Sequence, residues 1–149
     1  MLFRSILNHS EGNECSYVRE FLSALRALPS PPAMGLLTGN VRLGAEIKLR
    51  HYRLWEEFCT GGFGDDHENR GEIAKVARAR GSKLVGRPLA GEEILVIGDT
   101  PLDIACAKAI DARCLAVATG HAPVAELKSH GPTWAVRDLS CADPRELCR

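Results

Sequence analysis

No aspartate precedes Asp65 in this 149-residue chain. Any site that draws a carboxylate of that type from an early strand is therefore excluded. Net charge is missing as well: nineteen Lys and Arg balance nineteen Asp and Glu. A neutral chain is not a general binder of nucleic acid or of membrane surfaces. No apolar run approaches the ~20 residues of a membrane span. The start, MLFRSILNHSEGNECS, has neither a long apolar core nor a small-residue cleavage pattern, so no signal peptide is expected. The six cysteines, Cys15, Cys59, Cys106, Cys114, Cys141 and Cys148, form no CxxC pair, and the five histidines are scattered. Neither a zinc site nor a disulfide framework follows, and a reducing, cytoplasmic setting is expected. What is present is ordinary for one globular domain: 45% apolar and 26% charged residues.

Apolar spacing organises the chain. Tyr17, Val18, Phe21, Leu22, Leu25 and Leu28 recur at helical intervals, which predicts a helix over 16–28. PSPP ends it. Ala33 to Leu37 reads as a strand leading into Thr38-Gly39-Asn40, and a helix follows over about 41–52. The glycines around Phe63 and the acidic run DDHEN read as a loop. RGEIAKVARAR, 70–80, reads as a helix stopped by Gly81. Ile94 to Ile97 is a strand, Pro101 to about Ile110 a helix, Arg113 to Ala118 a strand, Pro123 to His130 a helix and Trp134 to Val136 a last strand. Alternating strands and helices predict an α/β fold with a mostly parallel sheet covered on both faces. Thr38, Asp99 and Thr119 should then meet in one crevice at the strand ends.

The most informative stretch is ILVIGDTPLDI, 94–104. A buried strand delivers Asp99 to its end, and Asp103 stands four residues on, about one helical turn. Two such carboxylates can address one hard cation, and Mg2+ prefers one or two of them with room for water and phosphate. The plain alternative is a helix cap at Asp99 or Thr100 with Pro101 in the first turn. In LLTGN, the Thr38 hydroxyl and the amides of Gly39 and Asn40 can donate to phosphoryl oxygens; a simple turn is the alternative. Phosphoryl transfer also needs a cation beyond the metal. Arg70, opening a helix, is the first candidate. Lys48 and His67 are rivals, and Lys75 lies further into the helix.

In this order, strand-TGN, helix-opening cation and strand-GDTPLDI, the chain resembles the haloacid dehalogenase-like (HAD) hydrolases from about Tyr17 to Leu139, especially their phosphoglycolate-phosphatase-like members. GLLTGN resembles the second motif of that family and VIGDTPLDIACAKA its fourth. The resemblance implies a Rossmann-like three-layer sandwich and a Mg2+-dependent phosphatase acting on a small phosphate monoester such as phosphoglycolate. Thr38, Gly39 and Asn40 would hold phosphate, Thr38 and Arg70 would assist catalysis, and Asp99 and Asp103 would hold the metal. Two departures stand out. The third-motif region, DDHENRGE, has no Lys. The first motif, DxDxT, whose first Asp is the nucleophile, is absent: only Glu11, Glu14 and Glu20 precede Thr38.

The resemblance places that missing strand at the sheet centre, between the strands carrying TGN and GDTPLD. The chain is thus expected to be the C-terminal part of a HAD-like core, 15–149, truncated and inactive alone, with 1–14 an unassigned segment or cap remnant. Leu2 to Leu7 filling the gap is the alternative, and it would still lack the nucleophile. The expected partner is a small phosphorylated metabolite, with no nucleic acid and no membrane. Two other functions compete: a non-catalytic metal- or phosphate-binding module acting through a partner, and a receiver-like domain, disfavoured because no acidic pair follows a first strand.

Overall fold

Side-chain alternation along the strands settles the layering. The computed structural model describes residues 2–5 and 17–149, with side chains from Tyr17 onward. Leu36, Leu95, Ile97, Leu115 and Val117 join one apolar cluster, while Leu37, Val96, Cys114 and Ala116 join the other. Successive residues of a strand point to opposite faces, so these three strands feed two cores. Both clusters are closed by helices, which is why the strands read as continuous apolar runs.

The strands are β1 (Leu2–Ser5), β2 (Met34–Leu37), β3 (Thr60–Gly62), β4 (Leu95–Gly98), β5 (Arg113–Val117) and β6 (Trp134–Val136). Among the described residues they form one parallel sheet in the order β3-β2-β1-β4-β5-β6. The helices are α1 (Val18–Arg26), α2 (Arg42–His51), α3 (Arg70–Val85), α4 (Pro101–Ala109), α5 (Val124–Ser129) and α6 (Pro144–Leu147). Buried residues of α1, α2 and α6 enter the first cluster, and those of α3, α4 and α5 the second. The expected α/β three-layer sandwich is therefore present. Leu25, Ile94 and Leu127 are fully buried, and truncating any of them to Ala costs about 2–5 kcal/mol.

The expected gap at the sheet centre is filled. Leu2–Ser5, from the segment left unassigned by sequence, pairs with β2 on one side (Leu2↔Met34) and β4 on the other (Leu2↔Leu95, Ser5↔Gly98). A strand in this slot satisfies the backbone groups that β2 and β4 would otherwise leave unpaired. Its four residues, LFRS, contain no carboxylate. The remainder of 1–14 and Cys15 lie outside the described residues.

Two local expectations need correcting. Gly81 does not stop α3. It is buried inside the helix, which runs on to Val85 and ends where Gly86 takes φ 74°. A mid-helix glycine costs about 1 kcal/mol relative to Ala, and burial on a packed face offsets that. The Gly86 amide donates to Lys83 O and Arg87 N to Ser82 O, closing the last turn. The glycines around Phe63 are not simply loop: Thr60–Gly62 is the edge strand β3. A Cβ on Gly61 would lie 2.9 Å from Leu36 O, and one on Gly62 2.5 Å from Ile73 O. Glycine there permits close approach to β2 and α3, and it also erases the side-chain pattern that marks a strand.

Candidate functional site

The strand order reverses direction between β1 and β4, with β2 and β3 to one side and β5 and β6 to the other. In open parallel sheets such a switch point opens a crevice beyond the carboxyl ends of the strands. The turns after β2, β4 and β5 carry Thr38, Asp99 and Thr119 to that edge.

The turn after β4 is built around Asp103, which is 1% exposed. Its Oδ2 accepts from the amides of Asp99 (3.1 Å) and Thr100 (3.0 Å) and from the Thr100 hydroxyl (2.8 Å). Thr100 in turn caps α4, its Oγ1 accepting from Asp103 N, and Pro101 occupies the first turn. The capping alternative is thus realised, and it serves the site: the reciprocal bonds fix the backbone from which Asp99 projects. Gly98 makes the turn feasible, because a Cβ there would lie 2.2 Å from Asp103 Cγ.

The remaining oxygen of Asp103 meets Arg70. Arg70 Nη2 donates to Oδ1 at 2.9 Å, with side-chain exposures of 20% and 1%. Arg70 opens α3 because Asn69 caps it; the Asn69 Oδ1 accepts from Gly71 N (2.8 Å) and Glu72 N (3.3 Å). The same guanidinium flanks the TGN turn: a Cβ placed on Gly39 would stand 3.9 Å from Arg70 Nη1. Gly64, after β3, supports that turn from behind, its amide donating to Asn40 O at 2.8 Å. Within the turn, the Asn40 amide donates to Thr38 Oγ1 at 3.1 Å, and Thr38 N donates to Gly62 O. The Thr38 oxygen accepts the Asn40 bond, and its hydroxyl can donate to an acceptor such as an oxyanion.

Asp99 is 5% exposed. It sits against the turn after β5, where a Cβ on Gly120 would come within 2.7 Å of its Oδ2. A cleft of about 290 Å³ opens beside it, lined by Asp99, Thr100, Pro101, Gly120, His121 and Glu126 among others. Arg70 thus links the TGN turn, Thr38 to Asn40, to the turn that holds Asp99 and Asp103, and Thr119, the third residue expected at this edge, leads into the Gly120 turn against Asp99. Lys48 lies in the last turn of α2. His67 Nδ1 accepts from the Asn69 amide, and Lys75 pairs with Glu72 at 2.7 Å. Sequence reasoning missed Asn69, Gly98 and Gly120. Only Asn69, preceding a helical run, carried a readable signal, that of an N-cap.

Residues 72–142 match the family model described as HAD-hydrolase-like. Over this stretch, just under half of its length, the chain is similar to haloacid dehalogenase-like hydrolases. No curated protein matches it significantly by sequence. Among solved structures, a protein from Clostridium difficile assigned as a phosphatase superposes with a TM-score of 0.74 at 18% identity, over 92% of this chain and 61% of that one. A haloacid dehalogenase-like family hydrolase from Streptococcus pneumoniae gives 0.70 at 16% identity, over 91% and 58%. A predicted phosphoglycolate phosphatase from Haemophilus somnus gives 0.71 at 18%, over 86% and 55%. At these identities the superpositions establish the haloacid dehalogenase-like fold. The chain spans about three-fifths of the length of the first two. Among the described residues no helix is long and apolar enough to cross a membrane.

Proposed function

We propose that this crevice is the phosphate- and metal-holding part of a haloacid dehalogenase-like phosphatase site for a small phosphate monoester. The observation that carries the reading is the position of Arg70. One guanidinium spans from the TGN turn to the Asp103–Thr100 turn that presents Asp99. A phosphoryl group seated there would meet the Thr38 hydroxyl, the Gly39 amide and a fixed positive charge, while the Asn40 amide orients Thr38 through its bond to Oγ1.

The residues fit Mg2+ in a specific way. Among the described residues there is no cluster of three or more His, Cys, Asp or Glu able to hold a metal. Magnesium needs no such cage and binds through one or two carboxylates with water and phosphate completing the octahedron. Asp99, buried and held by a fixed backbone, suits direct ligation. Asp103 has its Oδ2 engaged by three donors and its Oδ1 by Arg70, so it suits orientation of Asp99 better than ligation. When bound, the ion would neutralise charge on the phosphoryl oxygens. A relative from Bacillus subtilis assigned as a HAD-hydrolase was solved with magnesium bound.

Attack on phosphorus requires a nucleophile at the end of the central strand, and LFRS supplies no carboxylate there. These 149 residues are therefore expected to bind magnesium and phosphate without turning over p-nitrophenyl phosphate. Isothermal titration with magnesium chloride and inorganic phosphate tests the binding. Asp99→Asn should abolish the magnesium heat, whereas Arg113→Ala, on β5 with its guanidinium over Trp134, should not. Equal losses in the two variants would refute the metal assignment. Robust turnover that disappears in Asp99→Ala would refute the missing nucleophile. Phosphoglycolate is the reference ester to test, from the sequence resemblance and the named Haemophilus relative.

A further inference from the structure

The acidic run that follows β3 grips the TGN turn. α2 leaves that turn with Val41 at its N-cap, a side chain with no acceptor, and it makes no side-chain capping bond. The acceptor comes from 23 residues beyond Arg42: Asp65 Oδ2 accepts from Arg42 N, the first amide of the helix, at 2.5 Å. Beside it Gly64 N donates to Asn40 O at 2.8 Å, and Thr38 N donates to Gly62 O. Bonds from Gly62, Gly64 and Asp65 therefore bracket Gly39 on both sides. The fit is close, since a Cβ on Gly64 would lie 2.2 Å from Gly39 O. The Arg42 guanidinium adds a further tie between the two segments, 5.7 Å from the Phe63 ring centroid.

The bracket is itself anchored. Asp66 Oδ2 accepts from Phe63 N at 2.9 Å, and Arg80 on α3 donates to both Asp66 oxygens at 2.7 Å and to Gly61 O at 2.9 Å. The helix that presents Arg70 thus also fixes the turn that holds TGN. We infer that Asp65 is a positioning residue for the phosphate turn: by holding the Arg42 amide it keeps the Gly39 amide and the Thr38 hydroxyl ordered before an anion arrives. The inference rests on the phosphate-holding role of the TGN turn proposed above. When the turn is already ordered, binding does not bear the entropy of ordering it. Asp65 is exposed, so solvent screens its repulsion of a bound anion, and the ordering effect outweighs it.

The test is isothermal titration of the 149-residue chain with inorganic phosphate in the absence of magnesium, and separately with magnesium chloride in the absence of phosphate. Asp65→Ala is expected to weaken phosphate binding about three- to tenfold and to leave magnesium affinity unchanged. Asp65→Asn keeps an oxygen acceptor for the Arg42 amide and removes a negative charge, so it should bind phosphate at least as tightly as the parent. Asp143 accepts from Arg145 N at 2.9 Å at the start of α6, a cap of the same kind on a helix that does not follow the TGN turn. Asp143→Ala should therefore leave phosphate affinity unchanged. Asp65→Ala binding phosphate as tightly as the parent, Asp65→Asn binding as weakly as Asp65→Ala, or an equal loss in Asp143→Ala or in magnesium affinity overturns the positioning role while phosphate binding stands. Failure of the parent to bind phosphate overturns the phosphate-holding reading and the positioning role with it.

Discussion

Arg70→Met removes the positive charge facing Asp103 and keeps most of the aliphatic stem. Asp103 is 1% exposed, and its Oδ1 is bonded to Arg70 at 2.9 Å while Oδ2 receives three donors. Breaking a buried ion pair from one side costs about 3–5 kcal/mol, because the surviving charge is left without compensation. Arg70 is itself one-fifth exposed, so water can reach part of the vacated space. The loss is then about 2–3 kcal/mol, or about 5–10 °C in Tm for a chain of this size. Urea melts followed by tryptophan fluorescence would measure it, and a double-mutant cycle with Asp103→Asn should give a coupling of at least about 1 kcal/mol. Arg70→Met within about 0.5 kcal/mol of the parent, or an additive cycle, would show that the pair does not hold the turn and would remove the physical basis for Arg70 as organiser of the site.

Other outcomes follow from the same geometry. Gly98→Ala sets a methyl group 2.2 Å from Asp103 Cγ; it should destabilise by about 2–4 kcal/mol in urea melts and lower magnesium affinity. Burial raises the Cys106 thiol and pushes Cys114 up to about 12. Iodoacetamide at pH 8 should therefore modify Cys59, Cys141 and Cys148, which are exposed, and spare Cys106 and Cys114 until the chain unfolds. The Arg80 guanidinium, bonded to both oxygens of Asp66 at 2.7 Å, and the Phe63 amide hold the Asp66 carboxyl below its usual range against the opposing effect of burial. A depressed folded-state value stabilises above the ordinary carboxylate pKa, and that contribution disappears as pH falls through the folded value. Asp66→Asn should thus cost about 1 kcal/mol at pH 7, and the gap to the parent should shrink below about pH 4.

Much of the architecture was legible because strands buried on both faces and amphipathic helices write different apolar periods into a chain. β6 at Trp134–Val136 and the start of α4 at Pro101 agree with expectation. β3 was not legible, since Thr60-Gly61-Gly62 has no side-chain alternation to read. Its reason for being glycine is the approach of Leu36 and Ile73, which exists only in the folded molecule. The end of α3 was misread for a related reason: Gly81 and Gly86 look alike in sequence, and only Gly86 adopts the left-handed conformation that ends a helix.

By itself, the sequence determined that Asp99 leaves a buried strand, that Asp103 follows by one turn, and that no aspartate stands ahead of Asp65. Local spacing and composition suffice for those statements. Tertiary structure decided what the two carboxylates touch. Asp103 faces Arg70, 33 residues away, and four donors engage its two oxygens, which leaves Asp99 as the carboxylate turned toward the crevice. It also decided that Leu2–Ser5 completes the sheet, because the unpaired edges of β2 and β4 need a strand between them whatever its side chains. Pairing between distant segments depends on the fold as a whole, and no local pattern encodes it.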